Sequence, residues 1–348
     1  MNPEASNQDQ GCLVTAHDSA TMRARRGVAI LVLLALGPSL AAFVPRENQG
    51  EPPNYRRPTG ELELRYWLEN MVWYHQFSTE EMMAATGLER AEIEGALSRL
   101  KLTPDGRPPR GPDAPLLVLP YPGGRHPRIG FRDGAVRPRR ETKVSVFTPW
   151  DPNSYVVIDA PEAIWSNLGL TYLAHTHVPT VWTKQDIELE KLEWRRRPDG
   201  SLEIERRLPN DIVFGTRVVA THDDVRMETW LRNGTPDPLS DLRVQLCVML
   251  RGASGFEDQT NDNKVFASPY VACRNREGNR WIISAWEPCH RAWGNPPCPC
   301  LHSDPKFPDC PPGEIVRIRG RLWFYQGDDI NAEFHRLDQS DWRIAPSL

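Results

Sequence analysis

VRMETWLRNGTPDPLSDLRVQLCVML, residues 225–250, decides the fold class. Val225, Met227, Thr229 and Leu231 alternate with Arg226, Glu228, Trp230 and Arg232. Asn233-Gly234-Thr235-Pro236-Asp237 then reads as a turn. Beyond it, Val244, Leu246, Val248 and Leu250 alternate with Arg243, Gln245, Cys247 and Met249. A period of two puts one set on a buried face and the other on the opposite face. This is a pair of half-buried antiparallel strands joined by turn chemistry. The same signature recurs at Lys143–Phe147, Ser154–Asp159, Ile187–Arg196, Ser201–Leu208, Asp211–Ala220, Trp281–Ala285 and Glu314–Phe324. About ten or more strands without intervening helices predict a mainly β chain: a large antiparallel sandwich of two sheets over residues 125–338. No repeat of fixed period is present, which disfavours a propeller.

Toward the N-terminus the pattern changes. Residues 60–103 carry the helical spacing. Leu64, Trp67, Leu68, Met71 and Val72 share a face, and Ser78-Thr79-Glu80-Glu81 is a capping box. Gly87 suits the end of that helix. Ile93, Ala96, Leu97 and Leu100 line a further one from about Ala91. FSTEEMMAATGLERAEIEGALSRLKL, residues 77–102, resembles a helix-turn-helix unit. Phosphate binding is excluded by charge: Arg90, Arg99 and Lys101 face Glu80, Glu81, Glu89, Glu92 and Glu94. The net charge of −4 adds no nucleic-acid footprint. Residues 104–124, rich in proline and glycine, read as a linker or strap, and residues 339–348 as a tail.

Further upstream, MRARRGVAILVLLALGPSLAAFVP (residues 22–45) has a basic start, an apolar run and small residues near Ala41. That is the layout of a secretory signal over residues 22–42, preceded by a polar extension (1–21) and followed by a polar linker (43–59). An uncleaved anchor is the alternative, since the 18 residues 27–44, interrupted by Gly37 and Pro38, make roughly 27 Å of helix. The expected location is therefore exported: periplasmic, cell-surface or extracellular. Starting at Met22 removes Cys12 and leaves Cys247, Cys273, Cys289, Cys298, Cys300 and Cys310. An even count in an exported chain predicts disulfides, with pairing open.

The strand pair 225–250 also resembles a pattern of the galactose-mutarotase-like supersandwich. That resemblance implies a sugar ligand, an acidic general base and a histidine acid. TYLAHTHVPTVW (171–182) and AWEPCHRAWGNPPCPCLHSDPKFPDC (285–310) look like a family of exported proteins of planctomycete-type bacteria, which brings no activity to carry over.

Four constellations are candidates for chemistry. His175 and His177, two apart on a strand, would face one way and chelate a metal, or serve as acid and base. Cys289, His290, Cys298, Cys300, His302 and Cys310 crowd a proline-rich segment. It is expected to be an ordered loop held by disulfides, with zinc or copper on thiolates and imidazole, or free thiols, as the alternatives. Glu257–Lys264 is dense in oxygen donors suited to calcium or a sugar, with Asn261 at its centre. Finally, Trp286, Glu287, His290, Arg291 and Trp293 leave a strand end together, as a sugar site requires. The expected function is carbohydrate recognition or processing, with Glu287 and one of His175, His177 or His290 as the acid–base pair. Trp286, Arg291, Trp293 and Asn261 would be the binding groups. The alternatives are a structural or interaction protein of the envelope, meeting a partner protein there, and a metalloprotein centred on His175 and His177.

Overall fold

A computed structural model describes residues 54–129, 140–174 and 178–343. The signal or anchor at 22–42, Cys12, the His175–His177 pair and the last five residues lie outside that range. No described helix is long and apolar enough to cross a membrane.

The chain forms two antiparallel sheets, as the alternation predicts. The first has seven strands. Six run in the order β1 (Val118–Pro120), β2 (Lys143–Phe147), β3 (Tyr155–Ser166), β9 (Val244–Met249), β14 (Cys300–Pro305), β13 (Cys289–Trp293). The seventh, β4 (Gly169–Leu173), pairs with β3. The second sheet has eight, in the order β10 (Lys264–Ala267), β11 (Tyr270–Arg274), β12 (Arg280–Glu287), β15 (Ile315–Gln326), β8 (Asp224–Arg232), β7 (Val213–Ala220), β6 (Leu202–Arg207), β5 (Arg195–Arg196).

The alternation fixes which side chains meet. Val225, Met227 and Leu231 from β8 enter the space between the sheets, with Val244, Leu246 and Val248 from β9. The turn between these strands is held by Asn233, which is fully buried. Its amide donates to the carbonyls of Asp237 and Cys310 (both 2.9 Å), and its Oδ1 accepts from Thr235 N. A buried polar group bonded on every side specifies one turn geometry.

Each sheet has a second face, and helices cover part of each. On the eight-stranded sheet the cover is helix α4 (Ile330–Asp338), which the sequence reading did not foresee. Ile330, Phe334 and Leu337 pack on Tyr270, Trp281, Ile283 and Trp323. Trp342, inside the supposed tail, is buried in the same cluster. On the seven-stranded sheet the cover is the N-terminal module: α1 (Glu61–Glu69), a π-helical turn (Asn70–Tyr74), α2 (Thr79–Thr86) and α3 (Arg90–Leu100). The predicted Ser78–Glu81 capping box is present, and Gly87 takes the left-handed conformation (φ 68°) that closes α2.

Three other expectations are corrected. The proline-rich strap is not merely a linker, because it supplies β1 and buries Tyr121. Ile187–Arg196 is strand only at Arg195–Arg196. The cysteine-rich segment is a hairpin of β13 and β14 rather than an irregular loop; its prolines sit at strand ends or between the strands, where no ladder donor is lost.

Candidate functional site

The outer face of the seven-stranded sheet is buried yet strongly polar. Opposite residues on neighbouring strands share a face. One cross-strand row runs Lys143–Asp159–Cys247, and Trp293–His302 lies beyond it. Lys143 Nζ and Asp159 Oδ2 are 2.7 Å apart, with both side chains fully buried. Asp159 also accepts from the Thr142 hydroxyl (2.7 Å). Burial pushes its carboxyl up to about 6, against the pull of Lys143. Beside the row, Arg128 is ion-paired with Glu162, again buried. Gln245 donates to the other Glu162 oxygen (3.2 Å).

The row ends in sulfur and imidazole. Among the described residues, Cys247 Sγ, Cys300 Sγ and a ring nitrogen of His302 lie within 4.8 Å of one another, all three residues buried. Cys300 Sγ is 3.1 Å from His302 Nε2, and Arg128 Nη2 is 3.6 Å from Cys247 Sγ. Burial raises the Cys247 thiol well above its ordinary range. Trp293 stacks on the His302 ring (centroids 4.1 Å, 13°) and donates from Nε1 to Asp304 Oδ2 (2.6 Å).

Next to the network a cleft of about 310 Å³ opens, lined by His75, Gln76, Arg125, His126, Asn153, Tyr155 and Arg251. The helical module builds one wall. Arg125 is paired with Glu81 of α2, lies over the Phe77 ring (4.4 Å) and donates to the Tyr155 hydroxyl (3.0 Å). Burial, with the charges of Arg128, Arg251 and Lys143, holds the His126 imidazole down at about 4, so it is neutral near pH 7. Burial raises Tyr155, keeping it a phenol. His75 Nε2 is hydrogen-bonded to the Ser145 hydroxyl of β2 (2.7 Å), and its Nδ1–H donates to the Asn70 carbonyl (3.2 Å). A second cleft of about 410 Å³ lies among loops near Trp150, Asp151, Asn275 and Arg280.

The residues singled out from sequence fall elsewhere in part. Glu287 is ion-paired with Arg343 (2.9 Å), and His290 is exposed on β13; neither lines the 310 Å³ cleft. Trp286 is fully buried over Gly320, where a Cβ would sit 2.2 Å from the indole, so it packs rather than presents a sugar platform. Trp293 and Arg291 do meet: the guanidinium lies over the indole (4.4 Å), at the edge of the Cys247–His302 cluster. Asn261 pins its loop by donating to Gly294 O (3.1 Å). In that loop Glu257 and Asp258 are both paired with Arg276 (2.9 and 2.6 Å), which answers the charge a calcium ion would have met.

The disulfide expectation is corrected. The six cysteines of the described chain are thiols, none in a disulfide. The strand geometry explains the loop without cross-links: β14 is laddered on both sides, to β13 and to β9. The sequence reading missed Arg125, His126, Arg128, Tyr155 and Glu162. The available signal was charge in a strand: Lys143 and Asp159 stand among valines and isoleucines, where an unpaired charge is not tolerated.

No family model and no curated protein matches the chain, so neither comparison bears on the planctomycete-type resemblance. Among solved structures the chain is similar to a protein described as a kojibiose phosphorylase from the human microbiome (TM-score 0.33, 6% identity, covering 54% of this chain and 26% of that one). It is similar to a heparan sulfate lyase HepC mutant from Pedobacter heparinus (0.34, 9%, 69% and 41%). A polysaccharide lyase is a third (0.31, 12%, 63% and 34%). All three are described as carbohydrate-processing enzymes, and the chain spans less than half the length of each. At these scores no residue role transfers.

Proposed function

We propose that this is an exported β-sandwich protein that recognises or processes an acidic carbohydrate in the periplasm or at the cell surface. The ligand would sit in the cleft of Arg125, His126, Tyr155 and Arg251. The observation that carries the reading is the chemistry of that cleft. It pairs a neutral imidazole with a protonated phenol and is flanked by two guanidinium groups, beside a buried charge network. A volume of about 310 Å³ is at the small end of the range for ligand sites. The lining is rich in hydrogen-bond donors, which suits a ligand rich in acceptors: sugar hydroxyls and a carboxylate. His126 Nδ1 accepts from Arg128 N (3.1 Å), so its neutral ring carries the proton on Nε2 and acts as a donor; if a reaction occurs, Tyr155 is the group placed to give a proton. Export is supported by the signal layout over residues 22–42.

The test is a glycan array containing acidic and neutral polysaccharides, followed by titration of the best ligand. Arg251→Ala is expected to weaken binding about tenfold or more, the worth of a charge-assisted bond. Reducing the ligand's carboxylates to alcohols should have a similar effect on the wild type. A protein that binds no glycan, or an Arg251→Ala variant that binds as the wild type does, would overturn the proposal.

A further inference from the structure

We infer that Cys247, Cys300 and His302 form a binding site for one thiophilic d10 metal ion, zinc(II) or copper(I), on the outer face of the seven-stranded sheet. The inference is independent of the carbohydrate reading, since none of the three residues lines the cleft.

Backbone geometry brings the donors together. Cys300 and His302 are two residues apart on β14, so both project from one face. Cys247 lies on β9, the strand paired with β14 through Cys300–Met249 and Leu301–Val248. Donor atoms from all three lie within 4.8 Å of one another. Zinc–sulfur bonds of about 2.3 Å place tetrahedral donors roughly 3.5–3.8 Å apart, so the group needs only small shifts to close on an ion, with the Cys300–His302 pair opening from 3.1 Å. Two sulfurs and one imidazole nitrogen are a soft to borderline set, which selects zinc or copper(I) over calcium or magnesium.

The surroundings are those of a ligating histidine. Nε2 of His302 faces Cys300 sulfur at 3.1 Å. Its Nδ1 faces the carboxylates of Asp304 (3.7 Å) and Glu162 (3.9 Å), and is buried without a hydrogen bond. A metal on Nε2 places the ring proton on Nδ1, directed at those carboxylates, as outer partners of metal-bound imidazoles are arranged. Trp293, stacked on the ring, fixes its plane. Arg128, 3.6 Å from Cys247 sulfur, supplies positive charge beside a thiolate. Two thiolates and a neutral imidazole balance zinc(II) outright. With copper(I) they leave one negative charge for Arg128 to meet. Binding releases the two thiol protons to solvent, with no change of oxidation state. A disulfide between the two cysteines is the competing use of the same sulfurs, and they are thiols here.

The test uses the full chain, purified under reducing conditions and loaded separately with zinc(II) and with copper(I). One equivalent is expected to bind, as read by elemental analysis after desalting. Competition with a zinc chelator in one arm and a copper(I) chelator in the other identifies the preferred ion. In the loaded wild type, Cys247 and Cys300 should resist alkylation and become reactive when the metal is stripped, as read by peptide mass spectrometry. That measurement needs no variant. Cys300→Ser and His302→Gln are each expected to weaken metal binding at least tenfold, whereas Cys310→Ser leaves it unchanged. The proposal fails if folded wild type retains under about a tenth of an equivalent of either ion. It also fails if alkylation ignores the metal, or if Cys310→Ser weakens binding as much as Cys300→Ser.

Discussion

The two outer faces of this sandwich carry different roofs. On the eight-stranded sheet, α4 closes an aromatic layer: Tyr270 stacks on Phe334 (4.8 Å, 8°), with Trp281, Trp323 and Trp342 around them. The seven-stranded sheet lies under the N-terminal module and the strap. Its covered face holds Lys143, Asp159, Arg128, Glu162 and His302, with Cys247 and Cys300. An apolar roof is what stability alone selects. Buried ion pairs are no cheaper than packed hydrocarbon and are often costlier. Such pairs occur on both outer faces, with Asp224–Arg321 (2.7 Å) on the eight-stranded sheet; only the seven-stranded face adds a fully buried lysine, a buried histidine and two buried thiols, and that addition marks where its chemistry is.

The sharpest way to break this contrast is to remove one partner of the Arg128–Glu162 pair. Glu162→Gln strands a buried guanidinium and is expected to cost about 3–5 kcal/mol. The denaturant midpoint at constant slope measures it. The double variant Arg128→Met/Glu162→Leu removes both charges and should recover most of that loss while leaving α4 untouched. If the single variant costs under about 1 kcal/mol, the size of an exposed pair, the polar face is more open to water than the burial of both side chains implies.

The second effect is specific to pH. His75 joins the module to the sheet through Ser145, surrounded by Arg125, Tyr121, Tyr155 and the rings of Phe77 and Phe147. Burial, helped by the charge of Arg125, drives its imidazole down to about 3. The folded state therefore binds fewer protons than the unfolded chain, whose histidine titrates near 6.5. This contribution to stability is complete above pH 6.5 and is lost as pH falls toward 3. By pH 5 the loss is about 2 kcal/mol, at about 1.4 kcal/mol per unit. Stability measured at pH 7.5 and pH 5 for wild type and for His75→Gln isolates it from other acidic groups: the variant should show the smaller drop. Equal drops would mean that water reaches His75 in the folded state.

Much of the architecture was legible because one face of each strand meets the main core. Val225 to Leu231 and Val244 to Leu250 show the alternation for that reason. On β9 the other face was partly legible too: Cys247 and Met249 are too apolar for open water, and they pack on Tyr121, Tyr155 and Cys300. Of the site, Cys300 and His302 were legible as candidate metal ligands, but the residues that meet them were not. Arg128 reaches Cys247 across 119 residues, and His75 reaches Ser145 across 70. No local spacing encodes such contacts. The cysteine segment misled because its composition favours an irregular loop. Its backbone is instead fixed by ladders on both sides, information that resides in β9.

The smallest test belongs to the apolar face and sets the baseline for the other two. Asp329 caps α4, its Oδ1 accepting from Asn331 N (3.0 Å) and Ala332 N (2.9 Å). Asp329→Ala loses these bonds and the favourable charge at the helix start, at about 1 kcal/mol. The loss should appear in the denaturant midpoint and be the same at pH 7.5 and pH 5, because α4 meets neither His75 nor the ion pairs. Metal uptake and glycan binding should not change. If this variant altered either one, the two faces would be coupled through the shared core, and the division between a roof for stability and a roof over chemistry would have to be given up.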